Sequence, residues 1–420
     1  MARPSPPRPS PASTAPGAPD APEASDASDA SGPAKAAGGP ATYLVTGYPG
    51  LIGKRLVARI AEAEPEARIY ALVLPRMAEE AAAHAAAVGA RVEVLQGDVA
   101  DMHLGLSGAE YERLCGEVTD VFHLAAVQFL GVPRETSMRV NVDGTRNALE
   151  LARDCARLRR FNHFSSCYVS GDRVGVIAED ELDVGQGFRN AYEESKFHAE
   201  RLVQRAAREL PVTIYRPASV VGDSTTGEID RFEGPYFLGI LLVASPLAVP
   251  LPLPGNGVAP LNVVPVDFVV NAVWRLSHDP RAAGRTFHLV DPNPMSARRV
   301  YELIAEKVNK RLPKFTLSAR AADAMLRLPG LERLMRPQRA AIGYVNHLAI
   351  YNCHNTLELL DGTGIRCPPL ATYLDQLVDY VRESFRRRKE ERALQVEDPL
   401  DAVDGPAAPE DGPASRRRPT

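Results

Sequence analysis

The chain has 420 residues, 45% of them apolar, enough for a sizeable core in two or three domains or one large α/β unit. A formal net charge of -4 with a pI near 6.2 removes nucleic acid from the expected partners. Five scattered cysteines (Cys115, Cys155, Cys167, Cys353, Cys367) form no CxxC, which points to a reducing, cytoplasmic setting and to no metal site.

Residues 1–40 are rich in Pro, Ala, Ser and Asp and lack the apolar centre of a signal peptide, so they read as a disordered leader. Residues 391–420 read as a similar tail. Either is a dispensable solubilising segment or a tether for a partner. The folded body is expected from Ala41 to Glu390.

"ATYLVTGYPGLIGKRLVARIAEAEPEARIYALVLPR" reads as strand, tight loop, helix and strand. Gly47, Gly50 and Gly53 then serve a tight turn, the approach of backbone to a pyrophosphate, and close packing of helix on strand. Phosphates would sit on the unpaired amides of the helix start. A merely structural turn is the alternative. An NAD site usually closes the second strand with an acid on the ribose 2′-hydroxyl. Here Leu74 and Pro75 hold that region and Arg76 follows. A guanidinium suits a 2′-phosphate, with Lys54 and Arg55 adding positive potential, so NADPH is the expected cofactor; an ordinary surface arginine is the other reading.

"ARVEVLQGDVA" and "VTDVFHLAAVQF" read as further parallel strands with the helical "SGAEYERLCGEV" between them. That alternation indicates a doubly wound, Rossmann-like parallel sheet. Asp98 falls at the carboxyl edge, where it could accept from an adenine amino group, and Ala125 and Ala126 leave room for a ribose. His123 reads as a packed, hydrogen-bonded histidine, since no second histidine has metal spacing to it.

"RRFNHFSSCYVSG" is a strand ending in hydroxyls, Ser165 and Ser166, with Tyr168 nearby; a plain Ser-rich strand end is the alternative. In "NAYEESKFHAE", Tyr192 and Lys196 stand four apart and share a helix face with Glu200. That face is either solvated, or it turns a phenol and an ammonium toward one oxygen and one ribose. In the second case the ammonium would lower the phenol's pKa, a serine would hold a carbonyl oxygen, and the tyrosine would supply the proton.

After Pro217 the strand–helix rhythm loosens into an expected smaller C-terminal substrate-binding lobe. The uncharged stretch 236–254 is long enough to cross a bilayer but contains Pro246, Pro250, Pro252 and Pro254. It reads as a short apolar helix and an extended segment, in the core or on a pocket wall, and no transmembrane segment is expected. Asp267 is expected to cap the helix after it and Ser296 to cap a later one. Residues 315–360 show no catalytic arrangement, and the final helix becomes fully charged. The expected division is 1–40 leader, 41–222 nucleotide-binding domain, 223–390 substrate lobe with strands returning to the sheet, and 391–420 tail.

With "TGYPGLIG" and "YEESK" in place, the chain resembles the extended short-chain dehydrogenase/reductase superfamily. "NVDGTRNALELA" matches a further motif. The resemblance implies Ser166, Tyr192, Lys196 and Asn141 as catalytic residues, Asn141 serving a water-linked proton relay. It implies nucleotide contacts from Gly47, Gly50, Leu51, Ile52, Gly53, Arg76, Asp98, Val99, Ala125, Lys196 and Pro217. "GDVADMHLGLS", "YRPASVVGDSTTGE" and "VPVD" are most similar to the fatty acyl-CoA reductase and thioester reductase (male sterility-like) branch, although Leu124 replaces its usual asparagine and the insertion after the second strand is short. That branch implies NADPH-dependent reduction of an acyl-CoA or a carrier-bound acyl chain to aldehyde or alcohol, with an acyl carrier protein as a partner, and it allows a homodimer. Reduction of a hydrophobic ketone, or oxidation of a sterol-like hydroxyl, uses the same residues and stays open, as does a non-catalytic nucleotide-binding scaffold.

Overall fold

A computed structural model describes residues 40–89, 91–128, 132–229, 257–309, 344 and 347–396. The leader to residue 39, the apolar stretch 236–254, residues 310–343 and the tail after 396 lie outside the described residues. Strand β1 (Thr42–Thr46) leads into helix α1 (Leu51–Ala63), β2 (Arg68–Val73), α2 (Ala78–Val88), β3 (Val92–Gln96), α3 (Gly108–Glu117) and β4 (Asp120–His123). Helix α4 (Arg134–Met138), a π turn over Arg139–Asp143 and α5 (Gly144–Asp154) run on without a break before β5 (Arg160–Phe164). Then come β6 (Gly175–Ile177), α6 (Ala191–Ala206), β7 (Val212–Pro217) and β8 (Ser219–Val221), with β9 (Val263–Pro265), α7 (Val266–Ser277) and β10 (Thr286–Leu289) beyond them. The chain closes with α8 (Ala297–Lys307), β11 (Ala349–Tyr351), α9 (His354–Leu360) and α10 (Leu370–Val396).

Seven strands form one all-parallel sheet in the order β10-β7-β5-β4-β1-β2-β3. A parallel sheet needs helices on both faces, so its strands read as continuous apolar runs; β1, β4, β5, β7 and β10 are buried along their whole length. Side chains alternate between faces. Tyr43, Val45, Phe122, Phe164, Tyr215 and Phe287 meet Leu56 and Ile60 of α1 and Val269 and Val273 of α7. Leu44, Tyr70, Val121, Phe161 and Ile214 meet Leu114, Leu149 and Val203 on the opposite face. Strand order reverses between β1 and β4, the switch point at whose carboxyl edge ligands bind in open α/β sheets.

A smaller C-terminal part packs Val300 and Ile304 of α8 against Tyr373, Leu377 and Val381 of α10. Ser296 caps α8 by accepting from Arg299 N at 3.2 Å. Asp267 does not cap α7: its carboxylate accepts from Ser224 N at 2.9 Å and Ser224 Oγ at 2.7 Å, while α7 starts after Pro265 without a side-chain cap. Two donors on a neighbouring loop take the lone pairs that a local cap would use. In "DMHLG", His103, Leu104 and Gly105 take positive φ values of 51°, 60° and 69°. A left-handed leucine is unfavourable, and burial of the Leu104 side chain in the core beneath β3 opposes that cost.

Candidate active site

The nucleotide end is built from backbone. Gly47 sits at φ +82°, and a Cβ there would lie 2.7 Å from Ala125 N and from the carbonyl carbon of Leu124, so only glycine fits between β1 and β4. A Cβ on Gly50 would stand 2.9 Å from Gly47 O, and one on Gly53 3.0 Å from it. Helix α1 then begins at Leu51 and Ile52 with no side-chain cap and no acidic residue in its first turn. Its unpaired amides face the switch point, a fit for a pyrophosphate.

Thr46 Oγ1 accepts from Leu124 N (3.2 Å) and Ala125 N (3.1 Å) and contacts His123 Nδ1 at 2.9 Å. His123 Nε2 lies 3.1 Å from Thr145 Oγ1. Burial, with Lys196 adding to it, pushes the imidazole pKa down to about 3. His123 is thus a neutral tie between strands and helix, and the described residues contain no group able to hold a metal ion.

Beyond β2, Arg76 is exposed in the turn Pro75–Met77, and no carboxylate pairs with it among the described residues. The neighbouring cations differ. Lys54 lies 3.8 Å from Glu80, and Arg55 is paired with Asp223 (3.2 Å) and Glu228 (2.6 Å). The positive potential expected of Lys54 and Arg55 is therefore largely neutralised, and Arg76 stands as the free guanidinium. Asp98 caps Ala100 N at 2.9 Å and faces Arg139 at 3.4 Å. Val99 packs under Gly144, with its carbonyl held by Asn147 Nδ2 at 2.8 Å. Pro217 ends β7, buried at the same edge.

The candidate chemical centre lies where β5 meets α6. Asn190 caps α6 by accepting from Glu193 N at 3.0 Å, which sets the turn that presents Tyr192. Ser165 and Ser166, each 4% exposed, follow β5. Burial pushes the phenol pKa of Tyr192 up to about 12, outweighing the opposing effect of the Ser166 hydroxyl beside it. The expected lowering by Lys196 is not what the geometry produces. Lys196 Nζ donates to Phe164 O, and burial brings its own pKa down to about 8, with Glu200 opposing. A phenol titrating near 12 stays protonated at neutral pH, the form a proton donor needs.

Asn141 lies in the π turn, a helix irregularity common at functional sites. Its Oδ1 accepts from Val127 N (2.7 Å), and its Nδ2 donates to Val127 O (3.0 Å) and to Ser195 Oγ (2.8 Å). Both amide protons are thus spent on the protein. Ser195 Oγ donates in turn to Tyr192 O at 3.0 Å, so Asn141 joins the loop after β4 to the turn that carries Tyr192.

Several partners were given no role in the reading of the sequence. Glu200, fully buried, accepts from Ser165 Oγ and forms an ion pair with Arg216 at 2.6 Å. Tyr168 hydrogen-bonds Ser219 and meets the Tyr344 ring edge-on at 4.7 Å. Tyr344 OH donates to Glu193 at 2.6 Å and accepts from Asn190 Nδ2 at 2.8 Å. The signal for Glu200 is its spacing, one turn past Lys196; Tyr344 carries no sequence signal.

The family described as male sterility protein matches residues 45–273, more than half of the chain. The chain is 25% identical over 279 residues to a fatty acyl-CoA reductase of Drosophila melanogaster, covering 56% of this chain and 53% of that protein. It therefore spans about half the length of that relative. The crystal structure of the terminal R domain from the myxalamid PKS-NRPS biosynthetic pathway superposes with a TM-score of 0.70 at 28% identity, covering 83% of this chain and 92% of that one. A UDP-glucuronic acid 4-epimerase from Bacillus cereus, solved with NAD, shares the fold alone: TM-score 0.60, 17% identity, 82% of this chain and 98% of that one. No helix among the described residues is long and apolar enough to cross a membrane.

Proposed function

The chain belongs to the male sterility protein family, and from that premise we propose that it is an NADPH-dependent reductase of acyl thioesters. It is an NAD(P)-binding Rossmann protein of the extended short-chain dehydrogenase/reductase type, related to the thioester reductase and fatty acyl-CoA reductase branch. The observation that carries the reading is the meeting of Ser166, just past β5, with Tyr192 and Lys196, one turn apart on α6, at the carboxyl edge of the sheet.

The residues present fit a nicotinamide nucleotide. The Gly47 cradle admits a pyrophosphate, the amides of α1 face it, and free Arg76 suits a 2′-phosphate. Bound there, the nucleotide supplies a hydride. Ser166 and Tyr192 together polarise the substrate carbonyl oxygen, and Tyr192 delivers its proton as negative charge develops on that oxygen. Lys196, in its ammonium form, anchors the ribose hydroxyls. Asn141 holds the loop after β4 in place through Val127.

The fatty acyl-CoA reductase relative and the R-domain likeness favour a thioester over a ketone. A carrier protein is then a partner for acyl chains not bound to CoA, and five free thiols suit a cytoplasmic enzyme. Thioester, NADPH and a proton give aldehyde, free thiol and NADP. The test is an NADPH-consumption assay over acyl-CoAs of different length and a carrier-bound acyl chain, with released thiol counted by a trapping reagent. One thiol per aldehyde formed is expected. NADPH consumption with no thiol would overturn the thioester reading and leave a carbonyl reductase.

A further inference from the structure

Helix α6 grips the end of β5 at two consecutive residues. Lys196 Nζ donates to Phe164 O and Glu200 accepts from Ser165 Oγ; the next residue is Ser166. Glu200 is wholly buried. Arg216 Nε lies 3.1 Å from both of its oxygens. The remaining Arg216 donors go to Glu179 O (3.2 Å), Glu181 O (2.9 Å), His288 Nε2 (3.1 Å) and again to Glu200 (2.6 Å). The guanidinium is fully satisfied, so the pair needs nothing from Ser165. Even so, one carboxylate oxygen is turned to the hydroxyl beside the reactive serine, one helical turn from the reactive ammonium.

We infer that Glu200 is a positioning residue that acts through two others, fixing the strand end that carries Ser166 through Ser165 and holding its charge one helical turn from Lys196. The groups around Lys196 leave that second role to Glu200. His123 from β4 and His163 from β5 are buried and held neutral, Tyr192 on α6 is protonated, and Arg216 from β7 lies behind Glu200. Glu200 is the carboxylate that raises the Lys196 pKa against burial. Neutralising it removes that attraction and unmasks the Arg216 charge, and both changes release the Lys196 proton at lower pH.

The inference rests on the reading of Tyr192 and Lys196 given above, but one arm of its test needs only the nucleotide. NADPH affinity is followed by fluorescence between about pH 6 and pH 10 for the parent, Glu200→Gln, Ser165→Ala and Ser165→Thr; turnover is measured alongside. Glu200→Gln should move the high-pH loss of affinity down by about one pH unit. Ser165→Ala should leave that limb in place and lower kcat roughly tenfold, with nucleotide affinity held within about twofold. Ser165→Thr, which keeps the hydroxyl, should recover most of the lost turnover.

A Glu200→Gln protein that binds NADPH more weakly by one constant factor at every pH would overturn the electrostatic role and leave a purely structural pair. Equal turnover in Ser165→Ala and Ser165→Thr would overturn the role through Ser165. If Glu200→Gln does not fold, the two Ser165 variants decide by their kcat and KM. A parent that oxidises no NADPH with any thioester sinks the proposed function; the pH-dependent binding of Glu200→Gln then decides the inference.

Discussion

Replacing Arg76 by alanine tests the group proposed to set nucleotide choice. The side chain is exposed beyond β2 and unpaired among the described residues, so its removal breaks no internal contact and the fold should be untouched. A hydrogen bond to a charged group contributes about 1.5–3 kcal/mol, and exposure to solvent takes this contact to the lower end. A difference of about 1.4 kcal/mol is tenfold in affinity. We therefore expect the unmodified chain to bind NADPH at least about tenfold more tightly than NADH. In Arg76→Ala the two affinities should fall within about threefold of each other, with the NADH value unchanged. Fluorescence titration with both nucleotides reads this directly, and raising salt to about 1 M should shrink the parent's preference by screening the same contact. Equal affinities in the parent, or a preference that survives Arg76→Ala, would refute the assignment of Arg76 to a 2′-phosphate.

Tyr192→Phe removes only a hydroxyl, so NADPH affinity should stay within about twofold while turnover falls roughly a hundredfold or more; unchanged turnover would dismiss Tyr192 as the proton donor. Because the Lys196 pKa is lowered to about 8, its ammonium form is present below that value and lost above it. NADPH affinity should thus drop about tenfold from pH 7 to pH 9, with no contribution from Tyr192, which titrates near 12. A flat affinity over that range would contradict the role of Lys196 at the ribose. Gly47→Ala must place a side chain at φ +82° and 2.7 Å from two backbone atoms. Thermal melting should show a loss of at least about 2 kcal/mol, together with loss of NADPH binding. Asn141→Ala strands both backbone groups of Val127 and should cost about 2–3 kcal/mol in a denaturant titration; a loss below about 0.5 kcal/mol would mean that water replaces the amide.

What could be read in the sequence was local. The three glycines and the Tyr192–Lys196 pair act within a few residues of one another, so their spacing carries the geometry. Alternating apolar strands and helices fix a parallel sheet for the same reason. Four features depended on the rest of the fold. Asp267 has the position of a helix cap, but Ser224, 43 residues away, supplies two donors and captures it. The Tyr192 pKa follows how much protein surrounds the ring, which no four-residue spacing records. Arg55 looked available to a phosphate until the loop holding Asp223 and Glu228 closed on it. Glu200 stood in plain view on the face of Tyr192 and Lys196. Its meaning came from Arg216, on another strand, and from Ser165, 35 residues upstream.

The contacts of Arg216 bear on how this fold can be recombined. His288, on the edge strand β10, completes its guanidinium, and Glu179 beside it accepts from His288 N, Asn355 N and Thr356 Oγ1. Segments nearly 180 residues apart in the chain therefore close over one ion pair next to Ser165 and Lys196. A chimera that swaps everything after residue 222 for the corresponding part of a relative would replace three of those donors at once. Such grafts should be cut beyond α9 instead, after Leu360, so that the network travels with the sheet and only the following loop and the final helix are exchanged.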